Sequence, residues 1–335
     1  MRGQRKIVSE ESSRNREGFH KNPDQARRPN VVVVGSLHMD LTIKARTIPR
    51  LGETVLGDEF KMSPGGKGAN QAVAAAKLGA NVTLIGRVGS EAFGTDLVRN
   101  ARLHRIDTNF ITQDTETQTG LALIMVDQKG NNVIAVFPGA DLKCSKEDID
   151  RAESIIASAD ILLAQLETPL PVVQHAVQKA FQHGVKVILN PSPAHTLPEE
   201  VLKKVYVLTP NESEAEILTG TSITSLTSAK RATEEILRKG AANVVLTMGK
   251  TGALVGTKDE IFHVRSPEVT PVDTTGAGDA FCGALGVAIS SGENLEEAVA
   301  YANCAGAFAT TKMGAQEALP TREELEKFMR EKVLV

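Results

Sequence analysis

Asp279 stands directly after Gly276-Ala277-Gly278 and directly before an apolar run with helical spacing, Ala280, Phe281, Ala284, Leu285, Val287, Ala288 and Ile289. The spacing predicts a helix beginning close to Asp279, with the three small residues at its N-terminus. There the first backbone N–H groups have no intrahelical partner, the peptide dipoles sum to partial positive charge, and nothing bulky keeps an anion from the backbone. Such a turn can seat a phosphate. A carboxylate at the mouth of a phosphate seat is suited to taking a proton from whatever attacks the phosphorus. A Gly-rich turn followed by Asp is equally an ordinary helix start with Asp as N-cap, and the segment alone leaves both readings open.

Pro64-Gly65-Gly66-Lys67-Gly68-Ala69-Asn70-Gln71 is a second Gly-rich turn, leading into an Ala-rich helix. It reads either as a helix start with a solvated Lys or as approachable backbone that, with Lys67 and Asn70, holds a hydroxylated ligand. Several directional donors suit a sugar, whose hydroxyls both donate and accept. Polar residues also fall where strands should end. Asp40 follows Val31-Val32-Val33-Val34, Glu167 closes Leu162-Leu163-Ala164-Gln165-Leu166, and Asn211 with Glu214 follows Leu208-Thr209-Pro210. A single carboxylate at such a place is more often a cap or a solvated residue. Together they share one edge, and Asp40 and Glu167 would supply acceptors from across a cleft. His38 reads as a satisfied loop histidine or as a sugar contact, and no metal partner accompanies it.

Neither common nucleotide fingerprint is present. Gly249-Lys250-Thr251 resembles the end of a P-loop, but the required first glycine falls at Val244 inside a strand. Gly276 to Gly278 lacks the third glycine of a dinucleotide turn, Phe281 standing in its place. What remains is Thr247-Met248-Gly249 with Gly252, a small-residue turn after a strand that can admit a nucleotide.

The elements that must position these residues alternate. Helices are predicted over 69–78, 91–103, 146–157, 171–183, 212–218 and 228–239, with closing helices from Asp279, Leu295 and Glu323; strands are predicted over 31–34, 82–85, 161–166, 185–189, 205–208 and 243–247. This is an α/β pattern, a doubly wound parallel sheet covered by helices, in which ligands gather beyond the carboxyl ends of the strands. The β-prone stretches 41–63 and 119–136, punctuated by Pro49, Gly52, Gly57 and the turn Asp127-Gln128-Lys129-Gly130, predict a small antiparallel β lid outside the main sheet. Residues 1–30 mix Arg and Lys with Glu and Asp around no apolar core and read as a disordered extension; 31–335 read as one domain.

At 335 residues and 41% apolar content the chain can bury a full core. A net charge of -3 gives no basic field, which argues against nucleic acid and for a small substrate. No apolar run reaches membrane-span length. Cys144, Cys282 and Cys304 form an odd set without C-x-x-C spacing, which argues against disulfides or zinc and for the cytosol.

From about residue 31 to the C-terminal helix, the chain resembles the carbohydrate and nucleoside kinases of the ribokinase (PfkB) family. The resemblance rests on separated segments in order: Gly35-Ser36 with Asp40, Gly52-Glu53-Thr54, the 65–73 turn, Gln165-Leu166-Glu167, Asn190-Pro191, Thr209 to Glu214, Asp273 to Asp279, and Gly314-Ala315-Gln316. The last-but-one segment specifies only the family, whereas the 65–71 turn is closer to its ribokinase branch than to the fructokinase or adenosine kinase branches. The resemblance implies ATP-dependent phosphorylation of ribose at its 5-hydroxyl. Asp40, Gly66, Lys67, Asn70 and Glu167 would hold the sugar, Asp279 would take its proton, and the amides of Gly276, Ala277 and Gly278 would form the anion hole. Asn211, Thr247, Gly249, Gly252 and Asn303 would bind nucleotide, with Glu214 reaching Mg²⁺ indirectly. A K⁺ site is implied from Asp273 and the carbonyls of Thr275, Ala309, Lys312 and Gly314, and a homodimer through the lid. Two positions depart: His38 replaces an Asn, and Ala318 replaces a hydroxyl of the K⁺ shell. Another sugar or nucleoside kinase of the family, or a sugar-binding regulator without chemistry, are the rival readings.

Overall fold

In the computed structural model, which describes residues 27–333, the chain runs from β1 (Asn30–Val34) through β2 (His38–Ala45) and β3 (Gly57–Gly65) into α1 (Lys67–Lys77), β4 (Asn81–Gly89), α2 (Ala92–Leu103) and β5 (Ile111–Asp114). Next come β6 (Gly120–Val126), β7 (Asn132–Phe137), α3 (Lys146–Arg151), α4 (Glu153–Ala157), β8 (Ile161–Ala164), α5 (Leu170–Gln182), β9 (Lys186–Leu189), α6 (Glu199–Leu202) and β10 (Val207–Leu208). The last part holds α7 (Glu212–Thr219), α8 (Leu226–Arg238), β11 (Val244–Thr247), β12 (Ala253–Gly256), β13 (Ile261–Val264), α9 (Ala277–Ser290), α10 (Leu295–Ala309) and α11 (Arg322–Val333). Of the extension expected over 1–30, residues 1–26 lie outside the described residues; Asn30 already pairs with Asn81.

The four valines of β1 are β-branched and closed to solvent on both faces, as a central parallel strand requires. Val31 and Val33 pack into a core shared with α1, α9 and α10, while Val32 and Val34 enter a second core with α3, α4 and α5. Each buried valine contributes about 1.5–3 kcal/mol, so β1 ties both helix layers to the sheet. The nine-stranded order is β13-β12-β11-β10-β9-β8-β1-β4-β5, parallel from β11 to β5, with β12 and β13 added antiparallel at one edge. From β1 the chain builds outward through β4 and β5 to one edge and returns through β8 to the other. The crevice of such a switch lies beyond the ends of β1 and β8, where Gly35-Ser36 and Glu167 emerge.

The lid is a separate four-stranded sheet, order β3-β2-β6-β7. Its two hairpins are antiparallel and join along a parallel pair, β2 with β6. Side chains opposite one another share a face. Asp40 lies opposite Ser63 and Ala122 on one face; Ile43 lies opposite Phe60 and Met125 on the other.

Element limits differ from the sequence reading in informative places. Helix α9 starts at Ala277, with Gly276 as N-cap at φ 75°, so Asp279 is the third helical residue and not the cap. Helix α1 starts at Lys67 because Gly66, at φ 89°, turns the chain into it. The single helix expected over 146–157 is two, broken where Ala152 takes φ -96°, ψ 6°.

Candidate active site

The site begins where α1 meets the end of β1. A Cβ at Gly68 would stand 2.5 Å from the carbonyl carbon of Gly35, so the two backbones touch and no larger residue fits. That contact lets Ala69 N–H donate to Ser36 O at 2.9 Å. The Ser36 hydroxyl donates to Glu167 Oε2, which also accepts Lys67 N–H at 2.9 Å. Gly65 leaves the room that Asp40 occupies, for a Cβ there would come within 2.3 Å of its carboxylate. The glycines of the turn therefore leave room for Asp40 beside Gly65, next to the Lys67 N–H that Glu167 accepts.

Asp279 rises from the first turn of α9 against α1 and is 6% exposed. Asn70 Nδ2 donates to its Oδ2 at 2.9 Å and Gln71 Nε2 to its Oδ1 at 3.1 Å. Burial pushes its carboxyl up; the Lys67 ammonium and the two amides oppose that. Beside it, a Cβ at Gly278 would meet nothing within 4 Å, so the first turn of α9 borders free space, while Ala277 N–H donates to Thr274 O at 3.2 Å.

The charges around this centre are coupled. Burial pulls Lys67 down, but Asp279, Glu167 and Glu214 outweigh it and hold the ammonium above its usual value. Asp40 is pushed up to about 6, chiefly by burial, with Glu167 and Asp279 adding repulsion and His38 opposing. His38 is 4% exposed, and its Nε2 lies 2.6 Å from Asp141 Oδ2. The other Asp141 oxygen accepts Leu37 N–H at 3.0 Å. A Cβ at Gly120 would press to 2.3 Å from the His38 ring, so that glycine makes the pair possible.

Across the α9 N-terminus runs a second rim. Asn211 caps α7 through a reciprocal pair with Glu214, at 2.9 and 2.8 Å, and bridges to Thr247 at the end of β11. Gly252, at φ 104°, lies so close to the chain leaving β13 that a Cβ would stand 2.2 Å from Val264 O. Asn303, on α10, donates to the carbonyls of Val264 and Arg265 at 3.0 and 3.3 Å. Asn211, Thr247, Gly249, Gly252 and Asn303 thus form one continuous edge.

Comparison with known proteins gives the family and agrees with the fold. Residues 28–322 match the pfkB family carbohydrate kinase profile. The chain belongs to the pfkB family of carbohydrate kinases. It is 39% identical over 302 residues to a ribokinase of Haemophilus influenzae, covering 90% of this chain and 99% of that one. It is 36% identical over 301 residues to a deoxyribokinase of Salmonella typhi, covering 90% and 98%. The ribokinase of Arabidopsis thaliana, solved with ribose and ATP, superposes with a TM-score of 0.83 at 30% identity, covering 91% of this chain and 99% of that one.

Within this pfkB chain, the segment before α9 is tied to the segment after α10. Asp273 Oδ1 accepts Thr275 N–H at 2.9 Å and its hydroxyl at 2.7 Å, and Oδ2 accepts Gly314 N–H at 2.9 Å. Burial raises the Asp273 carboxyl, but these donors prevail and leave it below its usual range. Thr310 O accepts the N–H groups of Val272 and Asp273, while Ala309 O accepts Lys312 N–H at 3.3 Å. The Lys312 side chain turns away to Glu324 at 3.0 Å. Ala318 is fully buried.

Sequence reasoning assigned no role to Asp141, Gln71, Gln165 or Gln316. Asp141 follows an unremarkable Gly-Ala and meets His38 only through the fold. The three glutamines did carry a signal: Gln165 interrupts an apolar strand end and is fully buried, and Gln71 and Gln316 are 1% and 4% exposed.

Proposed function

We propose that this chain transfers the γ-phosphoryl group of ATP to the 5-hydroxyl of D-ribose, leaving ADP and D-ribose 5-phosphate. The observation that carries the chemistry is the setting of Asp279: in the first turn of α9, beside the free space at Gly278, and hydrogen-bonded to Asn70 and Gln71 of α1, the helix that begins at Lys67. Likeness to a ribokinase over nearly the whole chain supports ribose as the acceptor.

Asp40, Glu167, Lys67, Asn70 and the Gly66 backbone orient the hydroxyls of the sugar. As O5 bonds to phosphorus and the ADP oxygen departs, Asp279 takes the O5 proton. The amides of Gly276, Ala277 and Gly278 receive the charge of the transferring group. Asn211, Thr247, Gly249, Gly252 and Asn303 line the nucleotide side. Mg²⁺, when bound, screens phosphate charge; the buried Glu214 would reach it through water. K⁺ suits the all-oxygen set of Asp273 and the carbonyls of Thr275, Ala309, Lys312 and Gly314, since weakly hydrated cations bind carbonyls readily.

Two further readings accompany this. Three buried free thiols suit a reducing cytosol; among the described residues no helix is long and apolar enough to cross a membrane. The outer lid face, with Ile43, Phe60, Met62, Leu123, Val133 and Phe137 all exposed, suits pairing of two lids in a homodimer.

ADP release measured with D-ribose, 2-deoxy-D-ribose, D-fructose and adenosine tests the assignment. The highest kcat/KM is expected with D-ribose, and Asp279→Asn is expected to lose about 10²–10⁴ in turnover while still binding nucleotide. A clear preference for another acceptor overturns ribose. Full activity of the Asp279 variant overturns the base.

A further inference from the structure

Two chains of side-chain amides end on Asp279, one on each oxygen. In the first, Gln165 Nε2 donates to Gln71 Oε1 at 2.7 Å and Gln71 Nε2 donates to Asp279 Oδ1 at 3.1 Å. In the second, Asn100 Nδ2 donates to Gln316 Oε1 at 2.7 Å, Gln316 Nε2 to Asn70 Oδ1 at 3.1 Å, and Asn70 Nδ2 to Asp279 Oδ2 at 2.9 Å. They come from different parts of the fold: α1 and the end of β8 in one, α1, α2 and the segment after α10 in the other.

The polarity of both chains is fixed by the carboxylate, which can only accept. Turning Gln71 over would set its oxygen against Asp279 and against Asn190 Oδ1, and its NH₂ against that of Gln165. Asn190 cannot turn to help, because its own NH₂ donates to Thr209 O at 3.0 Å. Every NH₂ therefore points inward, and the chain ends on an oxygen: Gln165 Oε1 is buried without a hydrogen-bond partner among the described residues, pressed against Gly35. An unpaired buried acceptor is unfavourable, and this chain retains it in exchange for the Gln71 donor aimed at Asp279.

We propose that Gln71 and Gln316, backed by Gln165 and Asn100, are positioning residues that fix the plane of the Asp279 carboxylate and favour its ionised form until the sugar hydroxyl arrives. This rests on Asp279 being the base. Donors to the charged form stabilise it against burial, and amide donors do so without adding a group that titrates. The titratable groups facing Asp279 are Lys67 on α1, Asp40 on β2, Glu167 beyond β8, Glu214 on α7 and Cys282 on α9. Substituting any of the three glutamines leaves all of them in place.

The test is the pH profile of kcat/KM for D-ribose in Gln71→Met and Gln316→Met, with Asp279→Asn beside them. The expected result is a kcat about 10- to 100-fold lower at neutral pH, a sugar KM within about twofold of wild type, and an acid limb moved up by about one pH unit. Gln165→Met covers the case in which Gln71→Met does not fold. It exchanges one unpaired acceptor, Gln165 Oε1, for another, Gln71 Oε1, so its melting temperature should hold while the acid limb still moves up. An acid limb that stays in place in the folded variants, with Asp279→Asn inactive, overturns the positioning role alone. An active Asp279→Asn overturns both the base and this role.

Discussion

His38 and Asp141 meet beneath the lid with almost no solvent access. An ion pair so placed trades desolvation against attraction, and its contribution depends on pH. Burial pulls the His38 imidazole down, yet the Asp141 carboxylate prevails and leaves it at about 8, against an ordinary 6.5. A folded-state value above the unfolded one stabilises fully below the unfolded value and loses that contribution as pH rises through the folded one. Stability should therefore fall by about 1–2 kcal/mol between pH 6.5 and 8.5. The double variant His38→Asn with Asp141→Asn, an uncharged pair of similar shape, should lose that slope. Urea unfolding across this range checks it, and parallel curves for both proteins would count against an ionised pair. The chain itself presents His38 with two meanings, loop histidine or sugar contact. Its partner lies about a hundred residues away, and only the packing of Gly120 and the parallel pairing of β2 with β6 bring the two together. A contact made by the fold leaves no local trace.

Glycine turns were the most legible elements, since a backbone that needs positive φ or close approach restricts the residue to glycine, although α1 and α9 begin at Lys67 and Ala277, ahead of the predicted Ala69 and Asp279. Gly66 and Gly276 both turn the chain into helices at φ 89° and 75°, and both stand inside motifs visible in the sequence. Less legible were β12 and β13, four residues each, too short to show a period, and the break at Ala152, a good helix former. Asp40 depends on such an element. In Gly65→Ala the new methyl would occupy the space of the Asp40 carboxylate, only 2.3 Å away. The sugar KM should rise about tenfold or more, on the scale of one lost charged hydrogen bond, with nucleotide KM little changed. An unaltered sugar KM would place Asp40 outside the sugar site. The 272–276 segment offers a second test. Asp273 already receives three donors from Thr275 and Gly314, and a carboxylate has about four acceptor positions. The tie to the segment after α10 thus exists without an ion, and K⁺ would reinforce it. Activity should rise in K⁺ over Na⁺ or a bulky organic cation at matched ionic strength, and Asp273→Ala should abolish the difference. Equal rates in all three salts would reject the site.

At the scale of the whole molecule, the lid poses a problem of surface. Its inner face carries Asp40, Thr42, Lys61 and Ser63, and Lys61 reaches Glu317 at 2.9 Å, spanning from the lid to the segment that holds Gly314 and Gln316. Its outer face has no charge along the matching positions: Ile43, Phe60 and Met62 on one side, Leu123, Met125, Val133 and Phe137 on the other, while Leu41 packs against the main core. Phe60 is 62% exposed and Leu123 54%. A sheet so exposed attracts association, and a two-fold pairing would cover both copies with the same patch. Burying Phe60 and Leu123 would contribute about 1.5–3 kcal/mol each per copy. Placing a carboxylate there should reverse the balance, because a buried unpaired charge is strongly unfavourable. Phe60→Asp, alone or with Leu123→Asp, should halve the mass of a wild-type dimer in sedimentation equilibrium at micromolar concentration. Because Phe60 and Lys61 are neighbours on β3, the loosened lid should also raise the sugar KM more than the nucleotide KM. A wild-type chain that sediments as a monomer across that range would reject lid pairing and leave the outer face to another partner.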